Sequence, residues 1–168
     1  MIVLGVDPGS HATGYGVIAT GARTRLLASG VIRPDRQVSL AERLQTIHQQ
    51  IMMVLASHRP AEMAVEALFN ARNARSSLIL GHARGVVLLA GALSGVPVCE
   101  YAPREIKLAL TGRGAASKEQ VRFMVIRCLG LMGKEPALDE SDALAVALAH
   151  ASRSRGALAW QLSKGGTV

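Results

Sequence analysis

Cysteine, aromatic rings, lysine and long apolar runs are all scarce in this 168-residue chain. The two cysteines, Cys99 and Cys128, match no metal-ligand spacing and suggest no disulfide framework, so the expected setting is reduced and cytoplasmic. The longest apolar stretch, Val86 to Val98, is too short to span a bilayer and contains Gly and Pro, so no membrane role is expected. The apolar run at the N-terminus is short, lacks a basic lead and stops at Asp7, unlike a signal peptide. Acids are also in deficit: 12 Asp and Glu face 19 Lys and Arg, leaving net +7 and a pI near 10.3. That balance suits nucleic acid or an anionic membrane surface. Only four of the 19 basic residues are Lys and 15 are Arg, which favours bidentate phosphate contacts over simple solubilising charge.

What is present is a folded chain with 49% apolar residues. Residues 2–7 read as a buried strand, and 13–20 and 25–33 as two more in close succession, an antiparallel meander. Ser39 caps a helix whose apolar residues recur at helical spacing to His58, and Pro60 stops it before a short strand at 62–66. A long helix is expected from about Asn73 to Ser94. It has little polar face and is interrupted by Gly81, Gly85 and Gly91, so one flank should pack on the sheet and another form a homodimer contact, and a central core helix of a monomer fits the same pattern. A fifth strand at 97–101 follows. Pro103 starts a short helix, Ser117 with Gln120 makes a capping box for the next, and Asp139 to about Arg153 is the last. The expected architecture is a mixed α/β five-stranded sheet, three meander strands plus two parallel ones, flanked by helices. Residues 1–153 should form a single domain, and 154–168 a polar, Gly-rich, flexible tail.

Four acids carry the functional argument. Asp7 ends the run Ile2-Val3-Leu4-Gly5-Val6, and Glu66 ends Met63-Ala64-Val65. A carboxylate at the end of a buried strand costs several kcal/mol to desolvate unless it is paired or holds a metal. A right-handed crossover through the first helix would lay strands 2–7 and 62–66 parallel and adjacent, with both acids at their carboxyl ends. Asp139 and Asp142, three apart, share a face at the start of the last helix; each alone also serves as a cap or first-turn charge. Together the four make a hard, all-oxygen site for Mg²⁺ or Mn²⁺. Two such ions about 4 Å apart would activate the attacking water and stabilise the leaving oxygen of a phosphodiester.

Around these acids lie candidate DNA contacts. Arg72, Arg75, Arg84, Arg104, Lys107, Arg113 and Lys118 are set against Glu100 and Glu105 alone between residues 67 and 118. Lys118 follows Thr111-Gly112-Arg113-Gly114, a loop able to approach a phosphate closely. Phe69, just beyond Glu66 in a chain only 3% aromatic, is placed to wedge or stack against bases, with core packing as the plain alternative.

Ile2-Val3-Leu4-Gly5-Val6-Asp7-Pro8-Gly9, Val65-Glu66-Ala67-Leu68-Phe69 with Asn73-Ala74, Leu80-Gly81-His82-Ala83-Arg84-Gly85, and Asp139-Glu140-Ser141-Asp142-Ala143-Leu144-Ala145 closely resemble the bacterial RuvC family. The resemblance runs in order from residue 1 to about 152. It implies a ribonuclease H-like fold and a homodimeric, Mg²⁺-dependent endonuclease that resolves four-way (Holliday) junctions by paired symmetric nicks. It also implies metal carboxylates at Asp7, Glu66, Asp139 and Asp142, important lysines at Lys107 and Lys118, a junction-probing ring at Phe69, and partnership with the branch-migration proteins RuvA and RuvB. Some members carry His at the position of Asp139. Two rival classes remain for comparison. An actin- or sugar-kinase-type ATPase would need a second comparable domain, and a non-catalytic nucleic-acid-binding module would not need all four acids.

Overall fold

A computed structural model of the chain describes residues 1–67, 74–133 and 135–164, with residues 154–164 by backbone alone. Phe69 and Arg72 lie outside the described residues.

Five strands, β1 (Ile2–Asp7), β2 (Thr13–Ala19), β3 (Arg25–Ile32), β4 (Glu62–Glu66) and β5 (Val98–Tyr101), form one sheet in the order β3-β2-β1-β4-β5. The first three are antiparallel neighbours, while β4 runs parallel to β1 and β5 parallel to β4. This is the mixed, ribonuclease H-like sheet expected from the sequence. The intervening helix α1 (Leu40–His58) starts at Ser39, whose side chain accepts from the Glu42 amide while Glu42 answers on the Ser39 backbone. It ends at Arg59, which adopts a left-handed conformation ahead of Pro60.

The sheet buries both faces. Leu4, Val6, Val17, Met63 and Val65 face α1 and α2 (Ala74–Leu93), whose Ala83, Val87 and Ala90 are fully buried. Val3, Ile18, Ala64 and Tyr101 face α3 (Pro103–Thr111), α4 (Lys118–Leu129) and α5 (Leu138–Lys164). Arg84, expected at DNA, instead spans from α2 to Glu100 of β5, donating from Nε at 2.7 Å, and ties the helix to the sheet edge. Helix α2 is long and apolar enough to cross a bilayer, but its buried face and the Arg84–Glu100 pair bind it to this sheet.

α5 lies closest to the sheet. Cross-strand register aligns Gly5, Gly16 and Ser29 in one row. A side chain at Gly5 would collide with Ala143 and Ala147, and one at Gly16 with Leu144, so this row is the bed in which α5 sits. Its far part is held at His150, whose Nε2 lies 2.5 Å from Glu62 and whose Nδ1 lies 2.8 Å from the Tyr101 hydroxyl. The helix does not stop near Arg153 but continues to Lys164. Gly156 alone costs only about 1 kcal/mol in a helix, and the Ala157-Leu158-Ala159 that follows favours continuation.

Candidate active site

Strand alternation builds the site. Val6 and Val65 are paired in register and point to the α1–α2 face. The next residue of each strand therefore turns to the opposite face, where Asp7 and Glu66 become neighbours under the start of α5. Asp142, in the first turns of α5, comes over them because the glycine row lets its helix down onto β1. Gly112, at φ 72°, ends α3 and turns the chain toward Ser117, which caps α4 and sets Lys118 as its first residue. Asp7, Glu66, Asp142, Lys107 and Lys118 thus line one cleft of about 360 Å³, closed beneath by Ile106, Val121 and Ala145.

The charges in this cleft are frustrated. Burial raises the Asp7 carboxyl, and Glu66 and Asp142 push it further, up to about 8, with Lys118 opposing. Glu66 is also raised, by burial first and then by Asp142; its hydrogen bond to Asp7 and the two lysines act the other way. Burial and the neighbouring carboxylates thus push both Asp7 and Glu66 toward their protonated forms in the metal-free cleft. Asp142 is drawn to Lys118, 3.0 Å away, and that bond and charge raise the lysine.

Asp139 is not in this lining. It turns to Arg33 just beyond β3, at 3.6 Å, in a largely exposed pair. The helical spacing placed it on the same face as Asp142, but an exposed carboxylate beside a guanidinium follows the nearer cation. Among the described residues no three His, Cys, Asp or Glu side chains close into a ready cage. Asp142 and Asp139 are each held by a basic partner instead. The donor set still fits a hard divalent cation: every donor is a carboxylate oxygen, and a proton held up to about 8 measures the positive charge the cleft accepts.

Of the remaining candidates, Arg75, Arg104 and Arg113 are exposed, with Arg104 lying against Gly114 and the Arg113 amide donating to the Thr111 hydroxyl. Two residues escaped the sequence reading. Arg33 gives no signal, because its partner lies at the far end of the chain. Glu140 binds Ser29 and the Ala137 amide; with Ala rather than Ser or Thr at the cap, no capping-box motif flags it.

The crossover junction endodeoxyribonuclease RuvC family model matches residues 3–150. The chain belongs to the RuvC family. A RuvC from Halorhodospira halophila is 50% identical over 149 residues, 89% of each chain, and one from Desulforamulus reducens is 43% identical over 169 residues, 100% of this chain and 99% of its own. Thermus thermophilus RuvC, solved in complex with Holliday junction substrate, superposes with a TM-score of 0.88 at 41% identity, covering 94% of this chain and 96% of that one. The yeast mitochondrial Holliday junction resolvase Ydc2 shares the fold, with a TM-score of 0.63 at 12% identity over 88% of this chain and 77% of its own. The RuvC match spans β1, β4 and the start of α5, so the carboxylate cleft lies wholly inside it.

Proposed function

We propose that this chain is a metal-dependent endodeoxyribonuclease that resolves four-way (Holliday) DNA junctions by paired, symmetric nicks in strands of like polarity, in recombination and repair. The observation that carries this reading is the convergence of Asp7, Glu66 and Asp142 with Lys107 and Lys118 in one cleft of a RuvC-family chain. Asp7, Glu66, Asp142 and Asp139 are the ligands, with Mg²⁺ as the ion and Mn²⁺ as a substitute. Two such ions held by these carboxylates would supply an activated water and neutralise the leaving oxygen.

The residues of the chain do the rest. Asp7 would have to be ionised to hold a cation, so binding would release the proton that burial favours on it. Lys118 releases Asp142 and, with Lys107, faces the scissile phosphate, where fixed positive charge counts most as negative charge develops. Asp139 leaves Arg33, at little cost for so exposed a pair. Arg72, Arg75, Arg104 and Arg113 contact backbone phosphates, and Phe69 probes the open centre of the junction. Arg84 is omitted from these contacts because Glu100 already engages it.

The catalytic unit is a homodimer, since two equivalent sites about a two-fold axis cut two strands of like polarity. Its support is the stripe of exposed leucines on α2, Leu78, Leu89 and Leu93, at 66%, 51% and 63% exposure. Residues 1–153 are the nuclease domain in this reading. The family resemblance supports a cytoplasmic protein that acts with RuvA and RuvB.

The test is cleavage of a labelled four-way junction with Mg²⁺ and with EDTA, beside a linear duplex of the same sequence. Metal-dependent, paired nicks confined to the junction are expected. Junction binding without any metal-dependent cutting would leave only a binding module.

A further inference from the structure

We propose that Glu140 is a positioning residue for the metal site, locking the rotation of α5 through Ser29 of β3; this rests on the metal-site reading given above. Asp139 and Asp142 both project from the first turns of α5, so their reach is set by where that turn sits. The helix begins without a side-chain cap of its own: residue 137 is Ala, and its carbonyl accepts from the Ser141 amide at 2.8 Å. Glu140 supplies what is missing. One carboxylate oxygen accepts from the Ala137 amide at 3.1 Å, which satisfies a donor at the helix start, and the other accepts from the Ser29 hydroxyl.

Ser29 is the third member of the row that begins with Gly5 and Gly16. Along that row α5 touches the sheet through Ala147 and Ala143, then Leu144, and last through Glu140. The first contacts are close approaches of the helix backbone and of Ala and Leu side chains to glycine, with no side-chain hydrogen bond among them, so they fix the distance from helix to sheet but impose little direction. The Ser29–Glu140 bond is directional. Successive helical residues are about 100° apart, so holding Glu140 toward β3 also sets the bearing of Asp139 and Asp142, which lie about 60° apart on the same flank of the helix. A turn of the helix by about 15° would carry a carboxylate more than 1 Å, a displacement that can cost about a hundredfold where reacting groups must align.

The experiment measures Mn²⁺ affinity of the DNA-free protein by calorimetry for wild type, Glu140→Ala, Ser29→Ala, the double variant and Glu140→Gln. Asp142→Asn serves as the ligand control, and urea midpoints and junction binding in EDTA are read alongside. Either alanine variant should weaken Mn²⁺ about tenfold, as outer partners of metal ligands do. The double variant should be no worse than the worse single one, because the two side chains act as a unit. Glu140→Gln should restore affinity, since a carboxamide can accept from the Ala137 amide and donate to Ser29. EDTA binding of the junction should not change. Unaltered Mn²⁺ affinity in folded Glu140→Ala or Ser29→Ala, or additive losses in the double variant, would overturn the lock. Failure of the Gln variant to rescue would make Glu140 a ligand or a charge and not a positioner. Wild-type protein that binds no Mn²⁺, or Asp142→Asn that binds it equally well, would overturn the metal-site reading and the lock with it.

Discussion

At the scale of one residue, Asp7 is the most perturbed carboxyl of the cleft among the described residues. Its carboxyl is held up to about 8, against 3.8 unperturbed, chiefly by burial and then by Glu66 and Asp142. The sign follows directly: the fold favours the protonated form, so the stability it gives the metal-free protein is complete below pH 3.8 and is lost as pH rises through about 8. Asp7→Asn has no proton to lose. Its urea midpoint should therefore fall less than that of wild type between about pH 5 and about pH 9 in EDTA, and equal falls would refute the assignment. For the same reason the Mg²⁺ concentration that half-saturates cleavage should drop as pH rises and level off above about 8. Cleavage by Asp7→Asn should be at least about a hundredfold slower, since even outer partners of a metal cost up to that much, while junction binding in EDTA persists. The adjacency of Asp7 and Glu66 was legible in the sequence because each ends an apolar run and a crossover helix lies between them, although Asp7 before Pro-Gly also fits an Asx turn. The orientation of Asp139 was not legible, because it is decided by Arg33, a residue that only the folded sheet brings near.

At the scale of elements, most of the fold could be read from local chemistry. Ser39 and Ser117 cap α1 and α4 as their sequences suggest, and Pro103 opens α3. Two features resisted. α5 runs on to Lys164, because polar and Gly content alone does not end a helix. Its bed on the sheet was also hidden, because glycines inside strands read as weakness until register lines them up. Gly5→Ala tests that bed. Overpacking here should cost about 2 kcal/mol in urea unfolding, and cleavage should fall further than the fraction unfolded explains, because α5 and Asp142 are lifted from Asp7. A variant with wild-type stability and rate would show that the helix has room to spare. The Arg84–Glu100 clamp was likewise invisible, because a basic residue on an otherwise apolar helix reads equally well as a DNA contact.

At the scale of the whole molecule, the proposed function assigns net +7 to DNA and the exposed leucine stripe of α2 to a second copy. Leu89→Glu should break the dimer in sedimentation without disturbing the buried face of α2, and should leave mostly uncut or singly nicked junction. Efficient paired cutting by a proven monomer would rule out the two-site account. The order of the strands carries a consequence for the life of the chain in the cell. β1 is central and holds Asp7, yet the helix that packs across it and brings Asp142 follows every strand of the sheet. A nascent polypeptide still tethered to the ribosome can thus expose its basic segments to DNA long before its cutting centre exists. The cleft is complete only once α5 has been made, and a message truncated anywhere before α5 yields a product without Asp142.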